Sequence, residues 1–201
     1  MGTQERRARE RAAARRAILD AARRILRAEG WDAVSVRRLA ADVEYSPGAL
    51  YLHFPDKDAL LAALQEEGFA ELRRRQQAVD GIGDPVRRLL RHGEAYLGFA
   101  LEHPDAYDLM FVRPEGARLR GAEGAASYAL LRAHVAACVR AGRLRGGVEA
   151  LARGLWGLVH GLAALAIRGR RAPGGPAGEE PREARSALRA VLTSVVQGAA
   201  R

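Results

Sequence analysis

Between Ser35 and Lys57 the chain gathers side chains that donate hydrogen bonds. They are the hydroxyls of Ser35, Ser46 and Tyr51, the guanidinium of Arg37, the imidazole of His53 and the ammonium of Lys57, the one lysine in 201 residues. Such donors suit the acceptors of a polyanion: phosphate oxygens and the edges of bases. A second set lies downstream. His92, Tyr96, Phe99 and His103 recur at helical spacing, so one helix face would carry all four. Tyr107, Met110 and Phe111 follow closely, and Trp156 with His160 makes an i, i+4 pair. Aromatic walls with few polar groups could line a pocket for a small, mostly apolar ligand, and the same pattern also serves as ordinary core with hydrogen-bonded histidines.

Other chemistry finds little support. Cys138 is the single cysteine, the histidines lack paired metal-ligand spacing, and no phosphate-binding loop is present. No enzyme, metal or cofactor is therefore expected. The alternatives are a helical active site with His160 or the histidine-aromatic face as general base, and a membrane-surface protein using its arginine-rich first helix.

The elements that position the donors can be read from their caps. Ser35 precedes VRRLAADV, where its hydroxyl can accept from the orphan N–H groups of a first helical turn. Ser46 repeats the signal, and Pro47 suits the first helical position because its missing N–H costs nothing there. Asp56 and Asp58 place acid at the positive end of a third helix. Val36, Leu39, Ala40 and Val43 give the first helix one apolar stripe, and Leu50 with Phe54 does so for the second. Two short helices about a tight turn form a helix-turn-helix, whose second helix fits the major groove of DNA.

The stretch LYLHFPDKDAL, residues 50–60, closely follows the LYxHFxxKxxL signature of the TetR family of bacterial transcriptional regulators. Upstream, ILDAARRILRAEGWDAVSVRRLAADV resembles that family's first helix and its entry into the helix-turn-helix, so the likeness covers roughly the first third of the chain. YLGFALEHPDAYDLMF and LWGLVHGLAAL resemble one C-terminal class of the family named for a Trp-His-Gly motif, here Trp156, His160 and Gly161.

The resemblance implies that Arg37 faces a base edge, where a guanidinium can grip guanine O6 and N7 together. It places Tyr51, His53 and Lys57 at phosphates, and lets Ser35 and Ser46 donate to phosphate as well as cap. Pro47, Gly48, Ala49 and Leu52 would contribute backbone approach and apolar contact with thymine methyls. It also implies a ligand cavity among the later helices, and symmetric DNA recognition by a dimer. One departure stands out. Where the family's turn usually reads Ala-Gly-Val-Ser, this chain has Val43, Glu44, Tyr45 and Ser46. Either Glu44 takes the left-handed conformation at a cost of about 1 kcal/mol, or the turn differs in geometry.

Composition agrees with an all-α fold: a helix-turn-helix reader over residues 1–60 and a larger helical sensing and dimerisation domain over 61–201. Nearly half the residues are apolar and aromatics make up 5 %, with no convincing strand pattern. Helices are expected from Lys57 to about Ala78, Asp84 to His103, over DAYDLM, from Ala122 to Ala141, Val148 to Arg168, and Pro181 to Gln197; RPEGARLRG and RRAPGGPAGEEP read as connections.

The formal charge is +9, from 33 basic against 24 acidic residues, and Arg6, Arg7, Arg9, Arg11, Arg15, Arg16, Arg23 and Arg24 crowd the first 24 positions. They read equally as a basic arm and helix next to the reader or as a solvated, disordered tail from an arginine-rich genome. Leu151, Leu155, Leu158, Leu162 and Leu165 form a seam, as do Ala184, Leu188, Val191 and Val195, while Gly154, Gly157, Gly161 and Ala164 make a small-sided stripe. A homodimer through these last two helices is expected. The apolar segment 154–167 is shorter than a membrane span and reads as a buried helix. With one cysteine and no secretory signal, the chain reads as cytoplasmic. The expected partners are a double-stranded DNA operator and a small effector, with no membrane.

Overall fold

The computed structural model describes residues 2–111, 121–171 and 179–199, and among them every regular element is a helix. In order these are α1 (Thr3–Glu29), a single 3-10 turn (Trp31–Ala33), α2 (Val36–Asp42), α3 (Pro47–Tyr51), α4 (Lys57–Gln77), α5 (Pro85–Glu102), α6 (Pro104–Phe111), α7 (Ala122–Arg140), α8 (Val148–Arg171) and α9 (Glu179–Ala199).

The expected caps form. Ser35 Oγ accepts from the Arg38 N–H at 3.3 Å and Ser46 Oγ from Ala49 at 3.2 Å, while Asp56 and Asp84 accept from Ala59 and Arg87 at 2.6 Å each. Each bond satisfies a donor that a helix start would leave unpaired. Between α2 and α3, Glu44 has φ of 56°, the one non-glycine positive φ among the described residues. The Tyr45 N–H reaches back to the Ala40 carbonyl at 2.9 Å and the Glu44 N–H to Ala41 at 3.4 Å. This pair of bonds is a Schellman ending, which needs a left-handed residue where glycine usually sits. Of the two turn geometries open in the sequence, the structure has the glycine-like one.

Two hydrophobic cores share α4. Leu60, Leu61 and Leu64 pack with Ile18, Leu19, Ala22 and Ile25 of α1 and with Leu39, Leu50 and Phe54. Phe69 and Leu72 pack into the second core with residues of α5 to α9. α6 touches both, because Leu109 belongs to the first core and Tyr107 and Met110 to the second.

Three sequence expectations change in detail. The arginine-rich start, read either as a basic arm and helix or as a disordered tail, is helical: α1 is one 27-residue helix whose first buried residue is Ile18. α8 is not covered on all sides. Ala152, Val159, Ala163, Ala166 and Ile167 face the core, yet Leu165 is 69 % exposed. Side chains added at Gly154, Gly157 or Gly161 would meet open space. By length and composition α8 could cross a membrane; in this fold it packs on α5, α7 and α9. The two proposed seams also divide, with Ala184 and Leu188 buried but Val191 and Val195 exposed. Residues 112–120 and 172–178, the bulk of the two expected connections, lie outside the described residues.

Candidate nucleic-acid interface and ligand cavity

The outer face of α2 and α3 is open. Arg37 is exposed, and among the described residues no ion pair or hydrogen bond engages its guanidinium. Its neighbour Arg38 instead grips Glu29 with both arms, one at 2.6 Å, and that contact holds the Glu29 carboxyl below and the Arg38 guanidinium above their ordinary pKa. Adjacent arginines are thus divided between a structural tie and a free donor. Tyr51 is 51 % and Leu52 86 % exposed at the end of α3. Pro47 and Gly48 are exposed with them, Ala49 is half-buried, and Ser35 and Ser46 keep a hydroxyl proton to donate after capping.

Lys57 is more committed, and His53 is held through its backbone. Lys57 donates to the Trp31 carbonyl at 3.3 Å and lies 4.7 Å from the Trp31 ring centre, leaving two of its three donors. The His53 carbonyl accepts from Arg15 at 3.1 Å, and the Arg15 guanidinium covers the Phe54 ring at 4.2 Å. Tyr45, exposed in the turn beside Glu44, joins this face without having been singled out in the sequence. An aromatic inside a turn was the available signal.

The second core holds a cavity of about 40 Å³ between α4, α5, α7, α8 and α9. His92, Tyr96, Phe111 and Trp156 line it, as the sequence pattern suggested, together with Gln76, Ser127 and Tyr128. Phe99 and His103 do not. They line a groove with Arg74 and Arg75 on the side of α4 that meets α1. Eleven residues of helix rise roughly 16 Å, so one face of α5 passes from the cavity to the junction of the two cores. Tyr107, Met110 and His160 sit behind the cavity wall. The Tyr107 hydroxyl is 2.6 Å and the Tyr96 hydroxyl 3.1 Å from His160 Nδ1, and Tyr107 also reaches the His160 carbonyl at 3.1 Å. This cluster ties α5, α6 and α8. Met110 packs against Gly68, so a side chain at position 68 would have to push the Met110 thioether aside.

The polar part of the cavity wall is one chain of hydrogen bonds. Ser127 Oγ donates to Gln76 Oε1 at 2.7 Å, which orients the amide so that its Nε2 donates to His92 Nε2 at 3.1 Å. His92 must then be neutral, with its proton on Nδ1. Burial, with His134 close by, pushes its pKa down to about 3. Burial also raises the phenol of Tyr96 in the wall and, behind it, raises Tyr107 and lowers His160; with no Asp, Glu, Lys or Arg among its lining residues, the cavity wall is uncharged at neutral pH. Gln76 and Ser127 were not foreseen, since their partners are 16 and 51 residues away.

An all-α chain with an open helix-turn-helix face and a helical domain around an uncharged cavity has the build of a DNA-binding regulator. Its N-terminal part, residues 18–64, matches the family described as bacterial regulatory proteins, tetR family. Residues 89–192, just over half of the chain, match the tetracyclin repressor-like C-terminal domain. The chain belongs to the TetR family.

Among curated proteins it is 52 % identical over 56 residues to the HTH-type transcriptional repressor Rv1474c of Mycobacterium tuberculosis, covering 28 % of this chain and 30 % of that one. It is 34 % identical over 101 residues to the HTH-type transcriptional repressor AcnR of Corynebacterium glutamicum, covering 50 % and 47 %. The match thus spans about a third to a half of the length of these relatives. Among solved structures, a TetR-family transcriptional regulator from Pectobacterium atrosepticum superimposes with a TM-score of 0.72 at 27 % identity, covering 93 % of this chain and 96 % of that one. A protein of unknown function from Rhodococcus sp. RHA1 gives 0.73 at 27 %, covering 90 % and 95 %.

Proposed function

We propose that this chain is a transcriptional repressor that binds a palindromic operator as a homodimer and is released by a small, mostly apolar effector. In this reading residues 1–60 form the reader and 61–201 the sensing and dimerisation domain, acting in the cytoplasm where the DNA lies. The observation that carries it is the open α2–α3 face, with Arg37, Tyr51 and Leu52 exposed beside a turn held in Schellman geometry. Arg37 reads a base edge; Tyr51, His53, Lys57, Ser35 and Ser46 fix register on phosphates; Pro47, Gly48, Ala49 and Leu52 make close apolar contact. The relatives named as repressors support the sign of regulation.

The exposed stripe of α8 with Val191 and Val195 of α9 forms the dimer interface, and the two readers then meet half-sites one helical turn apart, ~34 Å. The sensor is read as one of the Trp-His-Gly class on Trp156, His160 and Gly161, a reading supported by Trp156 lining the cavity and His160 holding two tyrosines behind it. An effector must bind more tightly to the non-reading arrangement, because only differential affinity shifts a two-state equilibrium. Selection of bound duplexes from a random library tests the reading. A palindromic consensus supports it, and equal retention of all sequences sinks it.

The narrowness of the cavity favours one second reading, a regulator whose DNA binding needs no effector. Operator affinity measured across a panel of small apolar molecules separates the two.

A further inference from the structure

α1 changes character where it leaves the reader. The face that buries Ile18, Leu19, Ala22 and Ile25 continues toward the N-terminus as Arg15, Arg11 and Arg7, at i, i−4 and i−8. Arg15 marks the edge, since it donates to the His53 carbonyl at 3.1 Å and covers Phe54, just past the end of α3. Beyond it the helix overhangs the reader by about 18 Å, twelve residues from Thr3 at 1.5 Å each. The overhanging face has no carboxylate. Glu5 and Glu10 lie on other faces, where Glu10 pairs with Arg6 at 3.6 Å and the Glu5 carbonyl accepts from Arg9 at 3.4 Å. Arg7 and Arg11 make no ion pair among the described residues.

The stripe is apolar over the reader, and beyond it Arg7 and Arg11 stand with the uncharged Gln4 and Ala8, so its only charges there are positive. The cationic part begins at Arg15, whose partners His53 and Phe54 directly follow the exposed Tyr51 and Leu52 at the end of α3. Successive arginines rise by about 6 Å, close to two nucleotide steps of one DNA strand at ~3.4 Å each. We infer that the first three turns of α1 are a phosphate-gripping rail, in which Arg7 and Arg11 hold the DNA backbone flanking the half-site bound by α3. This rests on the proposed function, which supplies the DNA, and it adds contacts outside the helix-turn-helix. The rail carries no base donors matched to sequence, so it strengthens binding without narrowing the consensus.

The test measures operator affinity against salt for the full chain, the R7A/R11A variant and the R6A/R9A variant, which loses equal charge from other faces of the same helix. Each phosphate contact contributes about 0.9 to the logarithmic salt slope. Losing two contacts per protomer should lower the slope of R7A/R11A by about 3 to 4 for a dimer, with protection of flanking phosphates lost in an ethylation-interference footprint. R6A/R9A should change the slope by less than half as much. Circular dichroism checks that α1 remains helical, as alanine favours. Equal slope changes in the two variants, or none in R7A/R11A while the wild-type chain still selects a consensus, overturns the rail and leaves the regulator standing. Binding to phosphatidylserine vesicles lost in R7A/R11A without any change on DNA also overturns it. Absence of sequence-selective binding by the wild-type chain removes both.

Discussion

Gln65, buried in the middle of α4, donates its side-chain amide to the backbone carbonyl of Leu109 on α6 at 2.9 Å. That carbonyl lies in the last turn of a helix, where no intrahelical partner is guaranteed. The bond joins the helix that runs through both cores to the short helix that touches both. Replacing Gln65 with leucine keeps volume but leaves a buried acceptor unpaired, which costs about 1 to 3 kcal/mol. Urea unfolding should show a lower midpoint at unchanged slope. An unchanged midpoint would mean that water replaces the amide.

Glu44 offers an opposite sign. At φ of 56° a side chain pays about 1 to 2 kcal/mol that glycine does not, against the 0.5 to 1 kcal/mol of extra entropy glycine loses on folding. Glu44→Gly should therefore be at least as stable as the wild type. It should also exceed Glu44→Ala by about 1 kcal/mol, since alanine keeps the strain. Thermal unfolding of the two variants side by side decides this, and equal Tm values would show that the turn carries no strain.

The local part of this fold was legible because its signals are local. Ser35, Ser46, Asp56 and Asp84 each bond an N–H three residues on, so the letters that announce a helix start also build it. The cavity was legible only in part. His92 and Tyr96 share a face with Phe99 and His103, and periodicity alone has no means of saying where along that face a neighbouring helix diverges. The Ser127–Gln76–His92 chain and the Gln65–Leu109 bond depend on which helices meet, a matter of tertiary packing. The outward stripe of α8 was visible as small residues, but an apolar helix in sequence looks the same whether covered by its own chain or left open.

Arg37 and Arg38 should separate cleanly in DNA binding. Arg37→Ala should cost about 1 to 3 kcal/mol on the selected operator and relax one position of the consensus, while leaving thermal stability near wild type. Arg38→Ala should act through folding, because it breaks the bidentate tie to Glu29. Fluorescence anisotropy on operator and random duplexes measures the first effect. Equal loss on both for Arg37→Ala would assign that residue to phosphate.

His92 makes stability depend on pH in a definite direction. Its folded pKa, about 3, lies below the unfolded value near 6.5 because burial disfavours the imidazolium. Between those values the unfolded chain binds a proton that the folded chain does not, so stability falls as pH drops from 6.5 toward 3. The loss approaches 1.4 kcal/mol per pH unit within that window. Glu29 and Glu123, held low by Arg38 and Arg73, and Glu149, held low first by the Tyr128 hydroxyl, weaken the fold in the same direction, so the diagnostic is a difference between proteins. His92→Phe should lose less stability than the wild type between pH 6.5 and 5, whatever its offset at neutral pH. Parallel curves would place the titration elsewhere.

The open stripe of α8 gives the last prediction, which separates folding of the chain from its association. Leu165 is 69 % exposed, and Gly157 and Gly161, on the same face, have open space above them. A charge at Leu165 should therefore cost the isolated chain little, because the site is already solvated. In a dimer packed through α8 and α9 the same charge would face its symmetry mate at close range, desolvated and repelled. Leu165→Glu should shift the light-scattering mass from dimer to monomer at micromolar concentration. Operator affinity should fall at least tenfold, since each reader would then bind a half-site alone. Helix content should stay unchanged. A monomeric mass already in the wild type, or an unaltered dimer in the variant, would move the interface off this face. The apolar stripe would then need another explanation, because exposed leucine and valine beside three glycines serve no purpose within the single chain.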